Sequence, residues 1–299
     1  MGRLLIFIKN GVRLTWLTLL LLVSTCVFAQ NNTALVSRFE VQAANRVVSL
    51  SPAASEILFA IGAGEAVVGV TDLCEVPAEF TQIVRVGGFD RSSLSIEKIV
   101  ACRPDVVYAT LGMHDYVVEQ LRRYNIAVYL SYATSIKAVL DEIQNWGCIT
   151  HHVADAACVT DSITSIVSDI QKRIAGKQRP SVYWEVWNAP YMSVGKTSFM
   201  HDILTAAGGN NIFSDIAQDY PMISEESILA RKPEVILIPD MEKETFAGLK
   251  NRSGWALIPA IRNKKVYFID ADKTSRPGPR VGQAVLELAR LLHPEEFRD

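Results

Sequence analysis

Few side chains in this sequence stand where covalent chemistry would need them. Gly62-Ala63-Gly64-Glu65-Ala66-Val67 opens like the GxGxxG turn that cradles a pyrophosphate. Val67 occupies the last small position, however, and the run follows a helical segment instead of a strand, so it reads as a helix C-cap and turn. Gly195-Lys196-Thr197 ends like a Walker loop without its leading glycine, and neither a GxSxG elbow nor an HExxH pair occurs. His151 and His152 fall at a helix start, where solvent takes them. His114 and His201 could each approach a cleft as an axial ligand, but single histidines of this kind are more often core or surface residues. The five cysteines lack CxxC or Cys/His spacing, which excludes a zinc ribbon or thioredoxin-like site. No catalytic residue, metal or cofactor is assigned. A secreted two-lobe enzyme is the less favoured alternative, because it requires a clustered acid/base or nucleophile set.

Two acids differ in kind. Glu97 follows Ser95 and Glu226 follows Ser224, each at the start of a segment with helical period. An acid in a first turn gains about 0.3–1 kcal/mol from the helix dipole and completes a cap, a sufficient reason for either one alone. Both, however, belong to copies of one pattern. Glu97-Lys98-Ile99-Val100-Ala101-Cys102-Arg103-Pro104-Asp105-Val106-Val107 matches Glu226-Ser227-Ile228-Leu229-Ala230-Arg231-Lys232-Pro233-Glu234-Val235-Ile236. Equivalent acids on two similar units make a pair of negative knobs that a two-subunit partner with arginine pockets could grip.

The elements that must position these residues alternate. From Arg46 onward, β-branched runs at 47–50, 66–70, 106–108, 127–130, 182–187, 235–238 and 266–269 read as strands. Segments at 55–61, 96–102, 116–124, 136–146, 201–207, 227–230 and 281–292 carry apolar residues three and four apart. That alternation predicts an α/β protein of mostly parallel sheets flanked by helices. Two further matches, 56–62 with 202–208 and 128–130 with 266–268, recur in the same order as the first. Two similar lobes follow, 46–152 and 180–295. The stretch 153–176 has no Gly or Pro before Gly176, and its apolar residues fall roughly on one face. It predicts one long bridging helix, a stiff connection with limited freedom.

Ligands of open α/β sheets gather at the carboxyl ends of strands, here in a cleft between lobes. The segments expected there are rich in aromatics, Pro and turns, which suits a broad, flat, mostly apolar ligand with a few polar anchors. The candidate ligand-binding residues are Ser51, Pro52, Cys74, Pro77, Phe89, Thr110 and His114 from the first lobe. The second lobe adds Glu185, Trp187, Tyr191, Tyr220, Arg276 and Arg280. Along 182–187, Trp184 shares a face with Val182 and Val186 and belongs to the core, while Tyr183, Glu185 and Trp187 lie opposite.

Composition sets the outer bounds. The chain has 299 residues, 30 Lys+Arg against 32 Asp+Glu, and is 49% hydrophobic. That allows two moderate domains with packed cores, excludes a disordered polymer, and leaves no electrostatic footprint for nucleic acid. Residues 1–29 have the form of a secretory signal peptide: Arg3, Lys9 and Arg13, an apolar Leu14–Val23, then Val27-Phe28-Ala29 for cleavage. The apolar run falls short of the ~20 residues that span a bilayer. A lipid-anchored variant would use Cys26, for which Thr25 is a poor neighbour. Residues 30–45 read as an extended N-terminal segment. Export gives Cys148 and Cys158 two readings, a local disulfide or two small buried apolar residues.

Val48-Ser49-Leu50-Ser51-Pro52, Cys74-Glu75-Val76-Pro77, 94–105, 208–213, 224–233 and 275–280 together resemble the class III solute-binding proteins of ABC importers, over about 46–295. The resemblance implies a bilobed, monomeric carrier that binds ligand between lobes with modest hinge motion. It implies a periplasmic location, or an anchored one in a single-membrane organism. It also implies that Glu97 and Glu226 dock onto arginines of a dimeric ABC permease. Within that class the chain is most similar to the cobalamin-binding branch, whose aromatic cleft positions correspond to Trp187 and Tyr220. Cobalamin (vitamin B12) or a related corrinoid is therefore the expected ligand. One departure is Thr110-Leu111, where those relatives place a Trp. Haem, which favours Tyr or His ligands, and a ferric siderophore, met by arginines such as Arg276 or Arg280, stand as alternatives.

Overall fold

The structure, a computed structural model, describes residues 43–240 and 246–298. The signal peptide expected at 1–29 lies outside the described residues. The first lobe opens with β1 (Val47–Ser49) and α1 (Pro52–Ala60). The Ser51 hydroxyl caps α1 by accepting the Ala54 N–H at 3.2 Å, and Pro52 starts the helix where no donor is needed. The chain leaves α1 through Gly62 at φ +77°, so the GxGxxG look-alike is a helix end. β2 (Val67–Val70), β3 (Val84–Arg85), α2 (Ile96–Ala101), β4 (Val106–Thr110), α3 (Asp115–Arg122), β5 (Ala127–Ser131) and α4 (Ile136–Ile149) follow. The strands lie in the order β3-β2-β1-β4-β5, and every pairing is parallel.

After the bridging helix α5 (Val153–Arg173), the second lobe contains β6 (Ser181–Asn188), β7 (Tyr191–Ser193), α6 (Phe199–Ala206) and β8 (Asn210–Asn211). It continues with α7 (Glu225–Arg231), β9 (Val235–Pro239), α8 (Phe246–Asn251), α9 (Pro259–Arg262), β10 (Val266–Ile269), α10 (Ala271–Ser275) and α11 (Val281–Leu292). Its sheet runs β10-β9-β6-β7, with β8 also on β6, and only β7 is antiparallel. The order β8-β6-β9-β10 repeats β2-β1-β4-β5. The three sequence matches fall on structural equivalents: α1 with α6, α2 and β4 with α7 and β9, and β5 with β10. The predicted two-lobed α/β architecture is thus the observed one. The elements without a sequence signal are short: β3 and β8 have two residues each, β7 has three, and α8, α9 and α10 have six or fewer, too few to show a period.

Alternation along the strands sends Val47 and Val106 to one face of the first sheet and Val48 and Val107 to the other. The inner faces share one apolar core that runs from α1 and α4 through α5 to α6 and α11. Gly147 lets α4 approach α5 closely, since a Cβ there would lie 2.4 Å from that of Ala156. Cys158 sits two residues beyond Ala156, about 200° around the helix, and is an exposed free thiol. Neither reading of the Cys148–Cys158 pair therefore holds: the local bridge is not formed, and Cys158 is not buried. Polar straps also join the lobes. The Asp202 carboxylate accepts the Ile136 N–H at 2.7 Å, and Glu56 on α1 accepts from Arg276 at 3.0 Å and from Arg280 at 2.7 and 2.9 Å.

Candidate functional site

A cavity of about 520 Å³ opens between the lobes. Every strand of the first sheet delivers its carboxyl end to it. Leu50 and Ser51 follow β1, Leu73 follows β2, Phe89 follows β3, Thr110, Leu111 and Met113 end β4, and Ser131 through Thr134 end β5. Facing them are Ser198 and Phe199 at the start of α6, Asp219 and Tyr220, and Ser275 through Pro277. Leu73, Phe89, Met113, Tyr132 and Tyr220 all line this one cavity while each remains 40–53% exposed. Large apolar side chains converging on one concavity without covering each other mark a ligand site.

Several polar groups of the lining are already engaged. The Tyr132 hydroxyl crosses between lobes to donate to Asp219 at 2.9 Å, and the Thr197 hydroxyl donates to the other carboxylate oxygen of Asp219. The bond to Asp219 raises the Tyr132 pKa, and burial pushes Tyr220 up to about 12, so both phenols keep their protons at neutral pH. Beneath the floor lies Glu142 of α4, buried, accepting from the Tyr108 hydroxyl at 2.6 Å and the Ser131 hydroxyl at 2.9 Å. Burial pushes the Glu142 carboxyl up to about 7, because the two hydroxyl donors counter desolvation only in part. Tyr108 is held flat against Trp146, with ring centroids 4.3 Å apart.

Of the residues singled out from sequence, Ser51, Pro52, Phe89, Thr110, Tyr220 and Arg276 line the cavity; Cys74, Pro77, His114, Glu185, Trp187, Tyr191 and Arg280 do not. Cys74 packs into the core with its thiol 3.1 Å from the Thr71 hydroxyl, and its neighbour Leu73 takes the lining position. Pro77 lies farther along the same loop, which Arg85 fixes by donating to the Thr71 and Cys74 carbonyls at 2.8 and 2.7 Å. His114 is buried under the rim: the Thr110 N–H donates to Nδ1 at 3.1 Å, and Nε2 donates to the Phe89 carbonyl at 2.9 Å. That arrangement requires a neutral ring, and burial lowers the His114 pKa accordingly. His114 thus latches the Phe89 loop to β4 and is no metal ligand here.

In the second lobe β6 runs on into an antiparallel hairpin with β7, pairing Trp187 with Met192. Trp187 remains exposed there, its indole N–H donating to the Ala189 carbonyl at 2.9 Å. Glu185 is buried against Arg252 through bonds of 2.6 and 2.9 Å, and Tyr191 stacks on Trp255. Arg280 is committed to Glu56, while Arg276 divides itself between Glu56 at 3.0 Å and Asp272 at 2.6 Å. Ser198, Phe199 and Asp219 line the cavity although spacing and composition did not single them out. The internal repeat held a signal for two of them, since the register that pairs Glu56 with Asp202 pairs Pro52 and Ala53 with Ser198 and Phe199.

Glu97 and Glu226 are exposed in the first turns of α2 and α7. Their caps match: Ser95 accepts the Lys98 N–H and Ser224 accepts the Ser227 N–H, each at 3.2 Å. Each helix runs back against the parallel strand that follows it, so both acids lie at the strand edge that also forms the cavity. The Glu226 backbone N–H and the Ser224 hydroxyl hold its carboxyl below the usual range.

Residues 47–273 match the family model described as periplasmic binding protein. The chain is 31% identical to a vitamin B12-binding protein of Salmonella paratyphi A, over 84% of this chain and 91% of the relative. It is 30% identical to an ABC transporter substrate-binding lipoprotein of Bacillus subtilis, over 85% and 82%. Among solved structures, the periplasmic vitamin B12-binding protein BtuF of Vibrio cholerae superimposes with a TM-score of 0.74 at 25% identity, covering 85% of this chain and 99% of that one.

Proposed function

The chain belongs to the periplasmic binding protein family, and from that premise we propose that it captures cobalamin or a related corrinoid between its lobes and delivers it to a membrane permease. It is the substrate-binding component of an ABC importer and belongs to no enzyme family. The observation that carries the ligand reading is the set of five large apolar side chains left open on one cavity at the strand ends. They suit the faces of a wide, flat macrocycle, and the relatives named for vitamin B12 support the same choice.

The alternatives fit the lining less well. A haem ligated through Tyr132 would have to break that hydroxyl's bond to Asp219 across the lobes, 2.9 Å long. An acidic ferric chelate asks for open positive charge, whereas Arg276 and Arg280 are engaged by Glu56 and Asp272. In this reading a single exported chain suffices, since both sides of the cavity come from it. Its lobes, 46–152 and 180–295 with 153–176 between them, present Glu97 and Glu226 to the two permease subunits.

Calorimetric and absorbance titrations of the purified protein with cyanocobalamin, hemin and a ferric siderophore test the ligand. Cyanocobalamin should bind with a Kd below about 10 μM, the weak limit for a scavenging carrier. Tighter binding of either competitor, or none of the three, overturns the assignment.

A further inference from the structure

The polar floor of the cavity carries information about the edge of the ligand. Ser131 lines the cavity and is partly exposed, and its hydroxyl has one proton, which goes to Glu142 at 2.9 Å. An ionised carboxylate only accepts, so Glu142 takes the protons of both Ser131 and Tyr108. What Ser131 then presents to the cavity is an oxygen lone pair. Glu142 makes no salt bridge to any described residue, so its field reaches the floor without a counter-charge.

A second observation points the same way. The other acid at the cavity, Asp219, also only accepts, and the one basic side chain on the described lining, Arg276, is held by two carboxylates. The described lining therefore holds no unengaged cation that could receive a ligand carboxylate.

We propose that Ser131, positioned by Glu142, is a specificity subsite for an N–H donor, so that the cavity selects a macrocycle fringed with primary amides over one fringed with carboxylates. A ligand amide N–H can bond the Ser131 oxygen, whereas a carboxylate at the same place meets lone pairs above a buried negative charge. Glu142 does not touch the ligand; it sets the direction of the Ser131 hydroxyl. The inference rests on the corrinoid reading above and adds which part of the corrinoid is read.

The test compares cyanocobalamin with its isomeric monocarboxylates, in each of which one peripheral primary amide has become a carboxylate, at pH 8 with Glu142 ionised. The parent protein should bind cyanocobalamin about tenfold or more tighter than at least one isomer. In Glu142→Gln the new amide can donate to Ser131, which frees the Ser131 proton for the cavity. That variant should bind cyanocobalamin more weakly and bring the disfavoured isomer to within about threefold. Ser131→Ala should lose the same discrimination while Tyr108 still donates to Glu142 at 2.6 Å, which keeps the test open if Glu142→Gln folds poorly. If both variants bind cyanocobalamin with the parent's ratios, the subsite is wrong while the corrinoid reading stands. If the parent does not bind cyanocobalamin, the corrinoid reading falls and the subsite with it.

Discussion

Each lobe buries a carboxylate, and the two are treated in opposite ways. Glu185 in the second lobe is 2% exposed and Glu142 in the first is 5% exposed, so desolvation bears on both. Glu185 receives both arms of Arg252 at 2.6 and 2.9 Å, and that guanidinium also lies 4.5 Å over the Trp255 ring. Glu142 receives two hydroxyls and no cation. The first arrangement neutralises its charge and sits among the packed aromatics behind the second sheet. The second leaves a carboxyl under the cavity with no counter-ion among the described residues, and burial raises its pKa to about 7. Burial alone does not set the charge an acid carries; the identity of the partner does.

The comparison breaks most visibly at the neutralised site. Arg252→Met leaves Glu185 buried without its cation and should remove about 3–5 kcal/mol of stability, or about 6–20 °C of Tm, read by calorimetric melting. A shift of a degree or two would show that Glu185 does not depend on its partner.

The intermediate effect belongs to Glu142 and depends on pH. Its pKa in the folded protein, about 7, lies above the ordinary 4.5, so the native state holds the proton more tightly than the unfolded chain. Its contribution is therefore full below about pH 4.5 and falls by up to about 1.4 kcal/mol per pH unit until pH passes about 7. Urea unfolding from pH 4.5 to 8 should show this decline in the parent and its loss in Glu142→Gln; parallel curves would contradict the geometry.

The smallest effect on stability should come from the exposed pair. Glu97→Gln with Glu226→Gln should change stability by no more than about 0.5 kcal/mol. Ligand affinity should stay at the parent's value, while uptake through the cognate permease falls sharply. Undiminished uptake by the double variant removes the docking role.

Most of the fold was legible because it is written twice. The Glu-x-Ile-x-Ala-x-x-Pro pattern marks α2 with β4 and α7 with β9, and strand–helix alternation did the rest. The segments that form the cavity were legible too, since strand ends are where such sheets bind. Which side chain within a segment points inward was not. Cys74 and Leu73 are neighbours, and a turn of the loop decides between them; His114 looked like a ligand but bonds two backbone groups instead. Trp187 stands outside the lining residues of the cavity, on the β6–β7 hairpin, where it is 49% exposed. Glu142 gave no sign, since an acid on an amphipathic helix reads as solvent-facing until the tertiary fold buries it.

The unbroken α5, pressed closely against Gly147 of α4 and packed on α11 on its other side, has a thermodynamic corollary. A receptacle whose walls are fixed before the guest arrives forfeits little affinity to an unfavourable closing equilibrium. Capture is then efficient even from scarce supply, but the same stiffness leaves no internal spring to expel the guest. In the reading proposed above, the work of emptying such a carrier falls to the permease.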